Sequence, residues 1–309
     1  LFTILPIFFI EEPRELKNET DGTVEQKKSS VKDMIESILP LSGFLIYGIY
    51  VIIGKLFGLT AGGNIYGLDY VECACVIIEL LAIVAVLLNL PRSSKDNNQF
   101  QKILLAHSFT WWGVQTMNIY MFFYVSTKIE GINELAANVA AVVNEGSIGY
   151  KLLENLIKEP EAGINAFAFL VRDLVGALLP VLVLNVIANK TGMSKTHTGS
   201  ILLMALGYAL IYFFGANIVV FFASLCLVGI GWASLVSLPF AIMSERIDQN
   251  KMGLYMGVFN LSVVLPQLVA SFKMGEIVNA AADKSIIFAI CAVCLAISGI
   301  LWIAVKDKK

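Results

Sequence analysis

Charge is what this sequence has least of. Only 15% of its 309 residues are Asp, Glu, Lys or Arg, whereas ordinary soluble domains carry about 25%. A soluble chain of this length would need roughly two domains with polar surfaces. Its 22 basic and 24 acidic residues are too few to coat them, and residues 196–244 hold no charged side chain at all. A net charge of −2 gives no basic field to attract nucleic acid. Histidine is scarcer still, and His107 with His197 cannot form a metal-binding cluster. No HExxH, P-loop or GxSxG pattern occurs. The five cysteines are an odd number set in or beside apolar runs, which argues against a disulfide framework. Cys291-x-x-Cys294 has no second pair and no nearby histidine, so both read as small apolar helix residues. These absences exclude a soluble enzyme, a disordered protein and a nucleic-acid binder.

What is present is apolar: 57% of the residues are AVILMFWYC. A membrane span needs about 20 such residues in a row. The first ten, LFTILPIFFI, lack a basic leader and so do not read as a signal peptide. They read instead as the end of a preceding span (1–10), with upstream helices expected before it. Residues 11–37 follow as a charged loop. Spans are expected at about 38–59, 70–90, 103–126, 164–188, 198–214, 217–243, 253–272 and 285–305, with Gly215-Ala216-Asn217 as the turn inside the long uncharged stretch. The first two form a hairpin (38–90), joined by a linker (91–102) to a six-helix unit (103–305), and 306–309 is a tail. Within that unit, residues 127–163 make a long loop. There Leu152, Leu153, Leu156 and Ile157 sit at helical spacing, predicting a short amphipathic helix.

Basic residues orient the chain. Segments 11–36, 91–102, 189–197, 244–252 and 306–309 carry 15 Lys and Arg, against five in the alternate loops. The first set, including the C-terminal tail, is expected to be cytoplasmic.

A charge near the bilayer centre costs at least about 2.5–3.5 kcal/mol, so such residues are functional candidates. Arg172 and Asp173 stand out in an otherwise apolar span. Adjacent side chains leave a helix about 100° apart, so the pair is not expected to neutralise itself, and at least one member should meet another helix or a watery cavity. A purely structural interhelical ion pair is the competing reading. In the span 103–126, Ser108, Trp111, Gln115, Asn118 and Phe122 recur at three- and four-residue spacing and share one side. Indole beside amide suits a sugar, whose ring faces stack while its hydroxyls need donors and acceptors; polar interhelical packing would give a similar stripe. Asn260 and Gln267 share a face, with Pro266 expected to loosen the backbone between them. His107 reads as an interfacial or satisfied histidine. Gly229, Ala233 and Ser237 form a small-residue ridge for helix packing. Glu72 and Lys55 can snorkel, whereas Glu79 is deeper and needs a partner.

The stretch GIGWASLVSLPFAIMSERIDQNKMGLYMGVFNLSVVLPQLVAS (229–271) resembles the tenth and eleventh helices of sugar:proton symporters of the major facilitator superfamily. The sucrose and maltose carriers related to solute carrier family 45, and the glycoside–pentoside–hexuronide symporters, are the groups it is similar to. FTWWGVQTMNIYMF (109–122) resembles the seventh helix, Asn144-Glu145-Gly146 an outer-loop motif and Lys195-Thr196-His197 the loop before the ninth helix. Val171-Arg172 with Gly176 resembles the eighth-helix segment whose arginine is associated with transport. The hairpin 38–90 departs from the family pattern as two extra helices, and Asp173 matches no family residue.

The resemblance implies an all-α, polytopic membrane protein: a facilitator-type C-terminal six-helix bundle, two extra helices and the end of a preceding one. It implies a secondary active transporter for a small polar solute, a sugar or glycoside, working by alternating access in a cell membrane, with a bacterial inner membrane as the expected setting. No cofactor is expected. The proton gradient supplies the energy, with sodium as the alternative. The expected partners are the solute, the lipid bilayer and an N-terminal half of the same protein. Arg172, Asp173, Trp111, Gln115, Asn118, Asn260 and Gln267 are the residues expected to bind substrate or couple transport. The alternatives are a carrier for a drug, peptide or amphiphile, and a non-transporting membrane scaffold.

Overall fold

The computed structural model describes residues 31–59, 62–63, 67–90, 94–247 and 252–307. The expected helix end at 1–10 and most of the loop 11–37 lie outside them. Among the described residues the chain is all-α, without a β-strand.

Helix α1 (Val31–Ile38) leads through a 3-10 turn into α2 (Ser42–Phe57), which ends at Gly58 in the left-handed conformation that glycine adopts without strain. Helix α3 (Tyr70–Leu87) opens on a capping box: Asp69 Oδ1 accepts from the Glu72 N–H at 2.8 Å, and Glu72 Oε2 accepts from the Asp69 N–H at 3.0 Å. Helix α4 (Lys95–Lys128) starts eight residues before the expected span because Ser94 caps it. The long loop holds two helices, α5 (Ile132–Val142) and α6 (Ile148–Lys158), the second being the amphipathic one expected.

Next come α7 (Pro160–Leu179), a π-helical turn (Pro180–Leu184) and α8 (Asn185–Thr191). Pro180 has no N–H to return to the carbonyl four residues back, and the widened turn absorbs that loss. Helix α9 (Met193–Phe214) begins before the predicted span, so Lys195-Thr196-His197 is its first turn rather than a loop. Helix α10 (Ile218–Ser244) is capped by Asn217, whose Oδ1 accepts from the N–H groups of Val219 and Val220. Helix α11 (Met252–Phe272) runs through Pro266 without a break. Helices α12 (Met274–Ala280) and α13 (Ile286–Ile303) complete the chain.

Seven helical segments among the described residues are long and apolar enough to cross a membrane. Helix α4 is not one of them despite its length, because its polar residues lower its hydropathy. It is instead the central post of the bundle. Thr110 Oγ1 and Ser298 Oγ lie 2.6 Å apart, and Gly113 lets α13 approach so closely that an added Cβ would sit 2.3 Å from Leu295. Tyr120 and Tyr124 donate to the carbonyls of Ala270 and Ile211. The large apolar side chains that remain exposed, such as Ile53 and Leu81 of the hairpin, Leu174 and Leu178 of α7 and Ile300 of α13, are those a lipid environment accepts and water does not.

The hairpin is not a loose appendage. Leu41, Phe44, Tyr47 and Val86 belong to the same apolar cluster as Phe109, Leu265 and Trp302, so α2 and α3 are built into one end of the bundle. At the end carrying Arg246, the tail is tied down. Lys306 accepts from Arg246 through its carbonyl, its N–H donates to Gln99 Oε1 at 2.9 Å, and Asp307 Oδ1 accepts from the Ser194 N–H at 2.8 Å. At the opposite end, Lys128 lies 2.9 Å from Asp283. The Ser285 N–H, and after it the Lys128 ammonium, hold the Asp283 carboxyl below its ordinary range. Because that folded value is depressed, this tie is in place at neutral pH and is lost only as pH falls through the carboxylate range.

Candidate functional site

Arg172 lies twelve residues into α7, roughly 18 Å along the helix at 1.5 Å per residue, and is only 6% exposed. Its guanidinium is held from three directions. Nη1 donates to Asn118 Oδ1 of α4 at 2.6 Å; Nε donates to Asp173 Oδ1 at 2.8 Å, and Nη2 lies 2.7 Å from the same oxygen. The rings of Phe169 (4.8 Å) and Trp232 of α10 (4.5 Å) complete the cradle. Buried charge is tolerated only with such pairing and hydrogen bonding, and cation–π contact with tryptophan adds to it.

The expectation that adjacent charges would not pair is therefore corrected. It treated side chains as directions at Cβ, and the long flexible stem of Arg172 bends back to bring its fork onto Asp173. Asp173 remains half-exposed, so the ion pair reaches from the packed interior to the open face of α7.

Glycines set this geometry. At Gly176 an added Cβ would sit 2.6 Å from the Trp232 ring, and at Gly229 it would sit 2.6 Å from Val175 and 2.9 Å from the Arg172 carbonyl. Two close approaches thus seat α10 on α7 and bring Trp232 against the guanidinium.

From Trp232 the cluster continues to Trp111 of α4, edge-on at 6.3 Å between centroids. Trp111 Nε1 donates to His107 Nε2 at 2.9 Å, and the His107 ring stacks on Phe259 of α11 at 4.7 Å. Since an indole nitrogen only donates, His107 Nε2 must be the acceptor, and the ring's hydrogen sits on Nδ1. Nδ1 is buried without a partner. His107 is thus buried rather than interfacial, and only half satisfied. Trp111→Phe keeps the ring but leaves both imidazole nitrogens unpartnered. It should destabilise the protein by about 1–3 kcal/mol, which a lowered Tm in detergent would show.

The structure brings Arg172, Asp173 and Asn118 into direct contact and joins Trp111 to them through Trp232. It does not bring in the rest. Gln115 and Gln267 are half-buried and Asn260 is exposed, and none of the three has a side-chain hydrogen bond among the described residues. The polar stripe of α4 also parts at its ends: Ser108 is fully buried and bonds back to the Leu104 carbonyl, while Phe122 is 44% exposed. Helix α11 reaches the cluster through Phe259, next to the predicted Asn260. Sequence reasoning missed Phe169, Trp232 and Phe259, because a single aromatic residue in an apolar helix carries no pattern. The signal available was Gly176 and Gly229, small residues that admit a large neighbour. Cys291 and Cys294 are buried in α13, with the Cys291 thiol donating to the Gly113 carbonyl.

These observations define an integral membrane protein with a charged and aromatic cluster between α4, α7, α10 and α11. Residues 150–261 match the sequence profile of the family described as MFS/sugar transport protein, a little over a third of the chain. The matched stretch contains Arg172, Asp173, Trp232, Phe259 and Asn260, and with the spanning helices it supports a membrane transporter of the major facilitator superfamily. No curated protein and no solved structure shows a significant match to the chain.

Proposed function

We propose that the chain is the C-terminal part of a secondary active transporter that moves a small polar solute, a sugar or glycoside, by alternating access with proton coupling. The observation that carries this reading is Arg172, buried in a spanning helix yet joined to a half-exposed carboxylate, an amide and two aromatic rings. Its planar fork can donate to a solute's hydroxyls, while Trp232 and Trp111 offer faces for an apolar sugar ring. A proton taken up by Asp173 removes the negative charge that engages Nε and Nη2, freeing the guanidinium for solute. Loss of that proton lets the ion pair re-form and compete with solute. Asn118 keeps the fork oriented in both states. Gln115, Asn260 and Gln267 would enter the site only after a shift of α4 or α11. The site would open toward an N-terminal half across the bundle, near the membrane midplane, with the C-terminus in the cytoplasm.

The test is uptake by the full-length protein in proteoliposomes. An inward proton gradient should drive accumulation of a saccharide, and a protonophore should abolish it. Accumulation driven only by a sodium gradient at clamped pH would replace the coupling ion. No saccharide uptake under either gradient would overturn the proposal.

A further inference from the structure

The hairpin and the bundle border a half-open cavity that the Arg172 cluster does not use. It measures about 310 Å³ and lies between α2, α3, α4 and α11–α12, with Phe44, Tyr47, Phe109, Trp112 and Ile83 among its walls. That volume is within the range of small-molecule sites. Its lining is mostly apolar, and its charged side chains are Glu72, Lys273 and Glu79. At one end Lys273 is already engaged, lying 2.8 Å from both Glu72 and Glu276 and donating to the Gly67 carbonyl. Glu79 lies apart from that pair, nine residues into α3, or roughly 14 Å from its start.

Glu79 is 8% exposed. Its Oε2 accepts from the Gly43 N–H at 3.0 Å, one of the first-turn donors of α2 that have no acceptor within the helix. Gly43 permits this approach: a Cβ there would lie 2.7 Å from Glu79 Cβ and 2.6 Å from the Cys75 carbonyl. The other oxygen, Oε1, is buried with no partner, and so is the indole Nε1 of Trp112 on the same cavity. Buried polar atoms are nearly always satisfied, so the orphan acceptor Oε1 beside this apolar cavity marks a place for an occupant that donates.

We propose that this cavity is a binding site for a lipophilic organic amine, separate from the Arg172 cluster. The ammonium would pair with Glu79 Oε1, and the apolar body would lie against the ring of Phe44 and the indole of Trp112, which meet edge-to-face at 5.8 Å. An anion would find no free cation among the described residues of the lining, because Lys273 is already engaged. A metal ion needs several oxygen ligands, whereas Glu72 is already paired with Lys273 and only Glu79 Oε1 is unpartnered. A purely hydrocarbon occupant, such as a lipid tail, would fill the space and leave Oε1 unpartnered.

The experiment is equilibrium binding to the purified full-length protein, with 1-aminoadamantane as probe and adamantan-1-ol as its neutral counterpart of similar shape. The amine should bind saturably at pH 7.5. The alcohol should bind at least tenfold more weakly, and Glu79→Gln, which keeps an oxygen for the Gly43 N–H, should weaken amine binding at least tenfold. Equal binding of amine and alcohol would make the cavity an unselective apolar groove and overturn the proposal. So would amine binding unchanged in Glu79→Gln, or no amine binding at all. Should Glu79→Gln not fold, the amine–alcohol comparison on the unaltered protein decides, with Ile83→Trp as a blocked cavity in which amine binding should vanish.

Discussion

Arg172→Lys in the full-length protein should lower solute uptake roughly 10- to 100-fold while leaving the protein folded. Arginine reaches Asn118 and Asp173 together because its donors are splayed in a rigid plane, and that plane also stacks on Phe169 and Trp232. A lysine ammonium keeps the charge but is a compact point. It can hold Asp173 or Asn118 with good geometry, not both, and it presents no face to the indole. A hydrogen bond to a charged group is worth about 1.5–3 kcal/mol, and 1.4 kcal/mol is a factor of about ten. Loss of one such bond therefore sets the expected range. Initial uptake rates at matched protein density would measure it, and a lysine variant with the original rate would show that the fork and the stacking do not matter.

The second large effect is on stability, and its sign reverses between two glycines. Gly229→Ala should destabilise the protein by about 1–3 kcal/mol, because its Cβ would land 2.6 Å from Val175 Cβ and 2.9 Å from the Arg172 carbonyl. Neither atom is the end of a flexible chain, so α10 must lift away from α7 and carry Trp232 with it. Gly257→Ala in α11 meets nothing within 4 Å. It should be neutral or stabilising by up to about 1 kcal/mol through helix propensity alone. Detergent melting curves should show a lowered Tm for Gly229→Ala and an unchanged or raised one for Gly257→Ala. Tryptophan emission should change only in Gly229→Ala, where an indole loses its cation. Equal shifts in both would mean that the α7–α10 contact does not set stability.

The order of the spans was legible because a bilayer demands long apolar runs and charges fall between them. The early start of α4 and the π-helical turn between α7 and α8 were not, since Ser94 capping and a proline-tolerant π turn are local devices inside polar or apolar stretches. Arg172 could be found by its membrane penalty, and Asn118 by helical spacing. The pairing of Arg172 with Asp173 was misjudged because spacing rules describe where side chains start, not where long ones end. The seven-residue spacing of Asn260 and Gln267 gave them a common face without saying which neighbour that face meets, and the structure puts Phe259 on the cluster instead. Glu79 was visible as a carboxyl too deep to be free. Its half-satisfied state depends on how α2 crosses α3, which no local pattern encodes.

The central claim is that Arg172 takes part in moving solute rather than only joining α4 to α7. Proton-gradient-driven saccharide uptake into proteoliposomes, full-length protein against Arg172→Ala, tests it most directly. The account predicts accumulation by the unaltered protein and none above the leak by the variant, with both proteins reconstituted to the same density and showing the same detergent elution profile. Unchanged proton-driven uptake by Arg172→Ala would contradict it.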